Sequence, residues 1–351
     1  MINNVILTLT PVIARIVYHI PLRSLGVIEA LVLLFVIISM FTINLIYSKK
    51  IFIISLISLS VSLFLLSMGS LEFFLSLVIA GLSFGVSIPT MTTIASSLAE
   101  KYSINAKLLK MYTLGLSLGA VISSILESIV TSLGVINLLL ISLSLFNVYN
   151  IYLYFRYYPN SHHKKFEFLL KVILNRKLWI ANMVSFPYDV TTGFFNVYLV
   201  MFAYYYYRVS ISLGFLYFFT FLLISSLSRY FIYKYNINEE KMKLYGIVLT
   251  IIGSIILIIK NPLLLFISVA ILGIPHGFLL PLSNLVIVEE FKEPKEKNFA
   301  NSINLLFHYA VFIIVPLISG IFIGISLVYG LLAFIILSVI SSLLLFWIKL
   351  K

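Results

Sequence analysis

The sequence predicts an all-α polytopic membrane protein with twelve transmembrane helices, arranged as two pseudo-symmetric six-helix bundles, the first helix being short. Three observations predict this class. Hydrophobic residues make up 62% of the 351-residue chain and charged residues only 10%, against about 25% charged in an ordinary soluble domain. Apolar runs long enough to cross a bilayer core recur along the chain. A glycine–proline pattern also occurs twice, 192 residues apart.

Twelve apolar runs, bounded by polar residues, define the predicted helices. Six lie in the first half, at 3–20, 22–46, 51–68, 72–97, 106–130 and 133–155. Six lie in the second half, at 179–204, 210–233, 243–260, 262–288, 299–322 and 325–347. When Gly26 is aligned with Gly214, the first run is about ten residues shorter than the seventh. We therefore expect either a short first helix or a start codon further upstream.

Basic residues predict the orientation of these helices. The loops after spans 2, 4, 6, 8 and 10, together with the C-terminal tail, hold 20 of the 24 Lys and Arg residues. The opposite face and the first span hold only Arg15, Arg23, Arg208 and Lys260. Because cytoplasmic loops carry the excess of basic residues, we expect both termini in the cytoplasm. Membrane topology then explains the net charge of +12 without a nucleic-acid partner.

A polar stretch divides the chain at its midpoint. Residues 158–177 predict a cytoplasmic linker between an N-terminal bundle over 1–157 and a C-terminal bundle over 178–351. Within the linker, Phe166, Leu169 and Ile173 share one helical face, which predicts an amphipathic helix on the membrane surface. His162 and His163 are adjacent and lack a neighbouring carboxylate, which favours a solvated linker over a metal site.

The repeated pattern is G-x-x-x-G-x-x-x-P. It comprises Gly81, Gly85 and Pro89 in span 4, and Gly273, Gly277 and Pro281 in span 10. Glycines four residues apart let a neighbouring helix approach closely. Each proline frees the carbonyl four residues earlier, which both times belongs to a glycine of the pattern. Freed carbonyls at this depth require protein packing or a wet cavity, so these helices are predicted to bend beside such a cavity.

These features resemble the major facilitator superfamily over nearly the whole chain. They are the twelve spans, the 6+6 repeat, the basic central loop and the span "VIAGLSFGVSIPTMTTIASSLAE". The loop "FTINLIYSKK" keeps the terminal basic pair of the family's loop motif, but it lacks the glycines and the aspartate. Its second-half copy keeps Arg229. Span 5 keeps Gly115 and Gly119 without the Gly-Pro of the drug–proton antiporters. The resemblance implies two bundles that rock around a midplane site.

Span 7 carries the sharpest candidate site. Five polar residues follow the spacing i, i+3, i+7, i+10 and i+14, which is one helix face: Asn182, Ser185, Asp189, Thr192 and Asn196. Asp189 lies near the middle of the span, two residues after Pro187. An ionisable residue at this depth is a functional candidate, because its burial is costly unless it is paired or hydrated. The alternative is a structural pairing.

Four further residues join the candidate substrate and proton pathway: Glu127, His276, Arg15 and Glu29. Each has a structural alternative. Glu127 can make a buried helix–helix hydrogen bond, and His276 can be a neutral imidazole bonded to a carbonyl freed by proline. Arg15 and Glu29 can form an outer salt bridge. His308, with Asn301 and Asn304 on span 11, is a weaker candidate.

The expected function is a secondary active transporter of a small organic solute, working by alternating access in the cell membrane with proton coupling, such as symport. The partners expected are the solute, protons and lipid; we expect a monomer with no cofactor, no metal and no nucleic acid. The absence of an H-E-x-x-H pattern argues against a zinc protease, and no enzyme is predicted. The alternative function is a degenerate relative without transport activity, serving as a scaffold or sensor.

Overall fold

The computed structural model describes residues 1–45, 49–68, 70–101, 105–157, 170–235 and 238–349. Throughout these ranges the regular secondary structure is helical. In the first half the helices are α1 (Ile2–Ile16), α2 (Leu25–Leu45), α3 (Lys49–Leu66), α4 (Ser70–Lys101), α5 (Asn105–Leu133) and α6 (Ile136–Tyr157), with a short 3-10 turn at Leu22–Ser24.

The second half begins with α7 (Leu170–Ile173), α8 (Arg176–Phe194), a π-helical turn (Phe195–Leu199) and α9 (Val200–Tyr205). It continues with α10 (Ile211–Tyr235), α11 (Glu239–Ile256), α12 (Pro262–Glu290), α13 (Pro294–Ile323) and α14 (Leu327–Phe346). Every predicted span overlaps one of these helices. From Arg176 to Tyr205, α8, the π-helical turn and α9 follow one another without a break. Most of the predicted amphipathic linker helix, with His162 and His163, falls outside the described residues.

Many of these helices are suited to a membrane. Among the described residues, eight are long and apolar enough to cross a bilayer, and α1 and α3 are shorter apolar helices. The first helix ends at Ile16 and has 15 residues, fewer than the roughly 20 that cross a bilayer core without adjustment. The number of twelve crossings stays a prediction.

Side-chain caps fix several helix starts in the second half. Asn175 accepts the backbone N–H of Lys177 at 2.7 Å, immediately before α8. Asn261 accepts the N–H groups of Leu263 and Leu264, and α12 then opens on Pro262. An amide oxygen that accepts the first N–H groups of a helix satisfies donors that have no partner within the helix.

The chain forms two compact units. Unit 1 comprises Met1–Thr10 and Leu31–Phe166, and unit 2 comprises Pro11–Ala30 and Glu167–Lys351. Inside unit 1, α3 packs on α4 and α6, and α5 packs on α4 and α6. Inside unit 2, α11 packs on α12 and α14, and α13 packs on α12 and α14. Each pair in unit 2 corresponds to a pair in unit 1, because α11, α12, α13 and α14 take the places of α3, α4, α5 and α6.

In unit 1, Gly81 and Gly85 of α4 pack against α2. A Cβ on Gly81 would lie 2.8 Å from the Cβ of Phe35 and closer still to the Val32 carbonyl oxygen. A Cβ on Gly85 would likewise collide with the Val36 carbonyl oxygen. The two backbones therefore touch at two points one helical turn apart, where any side chain would force them apart.

In unit 2, Gly273 and Gly277 of α12 make the same contacts with α10. A Cβ on Gly273 would lie 2.7 Å from the Phe221 carbonyl oxygen and 2.9 Å from the Cβ of Ile224. A Cβ on Gly277 would lie 2.5 Å from the Ser225 carbonyl oxygen. The partner positions correspond with a constant shift of 189 residues, since Val32 matches Phe221 and Val36 matches Ser225. The same helix crossing is therefore built twice.

The start of α13 is tied to α7 by an ion pair between Lys171 and Glu296. The hydrogen bond from the ammonium to this carboxylate, and the attraction between the two charges, raise the pKa of Lys171. The ammonium is largely exposed to solvent, so the pair contributes little to stability.

Candidate functional site

Helix α8 carries the polar face that the sequence predicts. Asn182, Ser185 and Asp189 are fully buried, and Thr192 and Asn196 are half-buried. Pro187 lies inside this helix without ending it. Burying polar side chains of a membrane helix costs free energy unless they bind other polar groups. The contacts of these side chains therefore indicate which chemistry they can support.

Asp189 meets His308 of α13. The Nδ1 atom of His308 lies 2.9 Å from Oδ2 of Asp189 and 2.8 Å from Oδ1. On the other side of the ring, Nδ2 of Asn304 lies 3.0 Å from Nε2 of His308. An amide nitrogen can only donate, so Nε2 accepts and the ring hydrogen sits on Nδ1, where it is donated to Asp189. This arrangement is that of a neutral imidazole that donates from Nδ1 to the carboxyl group of Asp189.

This pair continues into a chain of polar groups across three helices. The hydroxyl of Ser283 in α12 donates to Oδ1 of Asn304 at 3.4 Å. Asn304 then donates to His308, and His308 donates to Asp189. All four side chains are buried. A hydrogen-bonded chain of this kind lowers the cost of the buried carboxylate, whose Oδ1 atom makes no hydrogen bond within the described residues.

His276 of α12 forms a second polar cluster. Its Nδ1 atom lies 2.7 Å from the hydroxyl of Ser225 in α10, and its Nε2 atom lies 3.0 Å from the hydroxyl of Thr192. Thr192 donates its own hydrogen to the Tyr188 carbonyl. Nε2 of His276 therefore donates to Thr192, and Nδ1 accepts from Ser225. The imidazole is satisfied in its neutral form, by two hydroxyl groups and not by a carbonyl freed by proline.

Tyr188 lies between the two histidines. Its ring stacks on His276 with centroids 4.2 Å apart and meets His308 edge-on at 6.2 Å. Its hydroxyl hydrogen-bonds to the guanidinium of Arg229 in α10. Phe221 covers the ring of His276 at 4.5 Å, on the α10 side. The two polar clusters of unit 2 are therefore in contact through one aromatic ring.

Asn182 and Asn196 have different surroundings on the same face. Both amide atoms of Asn182 are buried without a hydrogen-bond partner among the described residues. Asn196 lies in the π-helical turn, where the N–H of Phe195 bonds the carbonyls of both Thr191 and Thr192. π-Helical turns are rare in proteins, and many of those that occur lie at functional sites.

Arg15 does not pair with Glu29 in the described structure. Its Nε atom donates to the Tyr205 hydroxyl at 2.9 Å, and a second nitrogen donates to the Ile20 carbonyl at 3.2 Å. Glu29 is buried, and its Oε2 atom makes no hydrogen bond to any residue described. The salt bridge that the sequence suggested is therefore replaced by a contact between Arg15 and α9.

Nearby in unit 2, Tyr198 joins two backbone segments. Its buried hydroxyl accepts the N–H of Gly26 at 3.1 Å and donates to the Pro316 carbonyl at 3.2 Å. A Cβ on Gly320 would lie 2.8 Å from this hydroxyl. The phenol thus fills the space between the start of α2 and the proline-containing turn of α13.

In unit 1, Glu127 of α5 bonds to α1. Its Oε1 atom accepts the Thr8 hydroxyl at 2.7 Å, and one turn away Asn4 donates to Ser123 at 2.6 Å. The second oxygen of Glu127 is buried and has no partner within the described part of the chain. The contact is the helix–helix hydrogen bond considered as the structural alternative for this residue.

The serine motif of many hydrolases occurs in this chain without its usual structural setting. Two G-x-S-x-G spacings occur in the chain, at Gly81–Gly85 and Gly115–Gly119. A nucleophile elbow needs a strand-to-helix turn, whereas both spacings lie inside the helices α4 and α5. In the described residues no group of three or more His, Cys, Asp or Glu side chains could hold a metal ion.

The structure adds residues that the sequence did not single out. Tyr188, Ser225 and Ser283 enter the site, and His308 and Asn304 become central to it. His308 and Asn304 are one helical turn apart, which was a usable signal. Tyr188 carried no signal, because a tyrosine in an apolar span is ordinary.

Solved structures with similar folds are transporters. One is a point mutant of the nucleoside transporter NupG, with a TM-score of 0.77 and 12% identity, covering 98% of this chain and 95% of that one. Another is a bacterial homolog of the human lysosomal transporter Spinster, in an inward-facing and unoccupied conformation. Its TM-score is 0.74 and its identity 14%, over 98% of this chain and 92% of that one.

The chain has the major facilitator superfamily fold. Together with its apolar helices, this fold makes it a multi-pass membrane protein. No family model matches the sequence, and no curated protein matches it. At this level of sequence identity the similarity establishes the fold and does not identify a solute.

Proposed function

We propose that the protein is a secondary active transporter that moves a small organic solute by alternating access and couples this movement to protons. The observation that carries the proposal is the buried contact between Asp189 and His308 inside apolar helices. A carboxylate and an imidazole at this distance can hold one additional proton, which changes the net charge of the pair from −1 to 0. Such a change can bias which side of the carrier is open.

The proposed pathway follows the polar face of α8. It includes Asp189, Asn182 and Asn196, with His276 reached through Tyr188. Glu127, Arg15 and Glu29 are the remaining proposed pathway residues. The two unpaired amide atoms of Asn182 support a hydrated route, because buried polar groups without protein partners normally bind water.

We place the protein in the cell membrane as a monomer with twelve crossings and both termini in the cytoplasm. The excess of Lys and Arg in the loops after the even-numbered spans supports this orientation. The 158–177 segment is the proposed cytoplasmic linker between the bundles 1–157 and 178–351. For the solute, the fold likeness to a nucleoside transporter supports testing nucleosides first.

The test uses the full chain in proteoliposomes with an imposed proton gradient. Radiolabelled uridine and a panel of amino acids, sugars and carboxylic acids serve as probes. The wild type is expected to accumulate one of them and to lose this accumulation when the gradient is collapsed. Asp189→Asn is expected to fold and exchange the solute without accumulating it, because the pair can no longer change its charge.

The matched control is Glu240→Gln, which neutralises an exposed carboxylate at the start of α11 that pairs with Lys243. It is expected to accumulate the solute like the wild type. Full gradient-driven accumulation by Asp189→Asn contradicts proton coupling through this pair. Failure of the wild type to move any probe, with the fold intact, favours a scaffold or sensor.

A further inference from the structure

Asn304 occupies a position between two groups whose hydrogen-bonding roles can reverse. Its Nδ2 atom donates to Nε2 of His308 at 3.0 Å, and its Oδ1 atom accepts the Ser283 hydroxyl at 3.4 Å. The side chain is 3% exposed, so water does not replace either partner easily. The amide therefore has to match the state of the imidazole.

A proton that enters the Asp189–His308 pair has a preferred atom. The ring hydrogen on Nδ1 is already donated to Oδ2 of Asp189 at 2.9 Å, and Oδ1 lies 2.8 Å from the same nitrogen. The Nε2 atom presents a lone pair, and an imidazole is intrinsically more basic than a carboxylate by about two to three pH units. The incoming proton therefore binds Nε2, and the pair becomes an imidazolium beside a carboxylate.

This protonation conflicts with the amide as it stands, because two N–H groups would then point at each other. Rotation of the Asn304 amide by half a turn about its terminal torsion removes the conflict. Oδ1 then accepts from Nε2 of His308, and Nδ2 donates to the Ser283 hydroxyl oxygen. The two ends of an asparagine amide are nearly the same size, and this torsion is broad, so both positions fit the same space.

We infer that Asn304 is a two-position switch that stabilises the protonated pair by turning its amide oxygen toward His308. No covalent bond breaks: one proton is added to Nε2, and the Ser283 hydroxyl redirects its hydrogen to a carbonyl of its own helix, as hydroxyls in membrane helices do. Asn304 is a positioning residue, since it acts through His308. The inference rests on the proposed function and names the atom that carries the proton.

Charged and titratable groups surround His308 on several helices. Asp189 and Tyr188 face the ring from α8. His276 of α12 and Arg229 of α10 lie beyond Tyr188 and contact it. Lys171 and Glu296 pair with each other at the start of α13, three turns away along the helix. Asp189 favours the imidazolium and Arg229 opposes it. Removing the amide acceptor of Asn304 leaves both charges in place, so its effect on His308 can be measured separately from theirs.

The test titrates the protein with protons alone, so it does not depend on knowing the solute. The full chain is labelled with 15N in its imidazole rings, placed in lipid nanodiscs and followed by NMR. The chain has five histidines, and His308→Gln identifies the signals of His308. The wild type is expected to show the Nδ1–H tautomer at high pH and the doubly protonated ring at low pH.

Two variants at position 304 are expected to move the midpoint of this titration in opposite directions. Asn304→Leu removes the acceptor for the imidazolium, which lowers the midpoint by about one to two pH units. Asn304→Asp supplies a permanent acceptor of the same size with a negative charge, which raises the midpoint. The added charge of Asn304→Asp raises the midpoint in any case and shows that position 304 reaches the ring, whereas a purely structural role leaves the midpoint of Asn304→Leu unchanged.

The matched control is Asn147→Leu in unit 1. Asn147 is also a buried amide between helices, and its Nδ2 atom donates to the Leu56 carbonyl at 2.7 Å and to Ser60 at 3.0 Å. It has no histidine partner in the described residues, so the midpoint of His308 should stay where it is. If Asn304→Leu does not fold, Asn304→Ala removes the same amide acceptor with a smaller side chain and is expected to lower the midpoint as well.

Three outcomes overturn the inference. The first is an unchanged or raised midpoint in the variant that removes the amide acceptor, Asn304→Leu or Asn304→Ala. The second is a neutral His308 at every pH, together with an infrared carboxylic-acid band that disappears in Asp189→Asn. That result places the proton on Asp189 and leaves the proposed function standing. The third is the absence of any titration of either group between about pH 4 and 9, which overturns the proposed function as well.

Discussion

The two glycine crossings share their backbone geometry and differ in their chemistry. Under the shifts of 189 residues for α2 to α10 and 192 residues for α4 to α12, Ser225 corresponds to Val36 and His276 to Phe84. In unit 2 the serine and the histidine form a hydrogen bond of 2.7 Å. In unit 1 the valine and the phenylalanine are both 1% exposed.

This difference separates the backbone packing of the helices from the chemistry of their side chains. Backbone contact at the glycines is needed in both units, because neither crossing leaves room for a Cβ. At the two positions that correspond to Ser225 and His276, unit 1 has apolar side chains instead. The polar pair of unit 2 contacts the Asp189–His308 pair through Tyr188, so the two crossings share backbone packing and differ in side-chain chemistry.

The largest expected effect concerns the shared backbone contact. Gly85→Val and Gly277→Val each place a branched side chain against a carbonyl oxygen of the facing helix, at Val36 or Ser225. Each is expected to lower the free energy of unfolding by about 3 kcal/mol or more. Thermal unfolding in detergent and the yield of folded protein measure the effect.

The matched control for the glycines is Gly115→Ala, since a Cβ there meets nothing within 4 Å among the described residues. It is expected to leave stability unchanged or to raise it by up to about 1 kcal/mol. A severe loss in one crossing and a mild one in the other would show that the two crossings are not equivalent.

A smaller effect is expected from the polar pair. Ser225→Ala leaves Nδ1 of His276 buried without a donor, which costs about 1 to 3 kcal/mol. The double variant Ser225→Ala with His276→Phe copies the apolar character of unit 1 and is expected to recover most of this loss. A double-mutant cycle on unfolding temperatures measures the coupling between the two side chains.

The control for this pair is Ser39→Ala in unit 1. The Ser39 hydroxyl donates to the Val36 carbonyl of its own helix at 3.1 Å. Its loss is expected to change stability by less than about 0.5 kcal/mol. Additive effects of Ser225→Ala and His276→Phe would show that the hydrogen bond does not couple the two residues.

The smallest effect on stability is expected at Glu127, the buried carboxyl group of α5 in unit 1. Glu127→Gln keeps a carbonyl oxygen that accepts the Thr8 hydroxyl, so stability should change by less than about 1 kcal/mol. Asp189→Asn also keeps an oxygen that accepts the Nδ1–H of His308, but it removes the charge of this buried pair and weakens a charge-assisted hydrogen bond, so a larger loss of stability is expected. Unfolding temperatures of the two variants in one detergent compare the acids directly. An equal loss for both would mean that Glu127 is also ionised and paired.

The helices and the glycine crossings were predictable from the sequence. Long apolar runs fix where helices lie, and glycines spaced by four mark where helices touch, because both are local properties of the chain. The polar face around Asp189 was predictable for the same reason. Its buried residues Asn182 and Ser185 follow the helical period.

The partners of that face were not predictable. His308 lies 119 residues from Asp189, and nothing in one sequence says which face of α13 turns toward α8. The π-helical turn at Phe195–Leu199 has no distinctive composition. A salt bridge from Arg15 to Glu29 was one of two alternatives from the sequence, whereas the guanidinium of Arg15 reaches the phenol of Tyr205. Tertiary packing decided each case.

The paired glycines also restrict how α12 travels along α10. A slide by one helical turn would keep a glycine at one of the two touching points and push Val269 or Pro281 against a carbonyl oxygen at the other. The two glycines therefore fix the register of α12 on α10, and with it the position of His276 opposite Ser225.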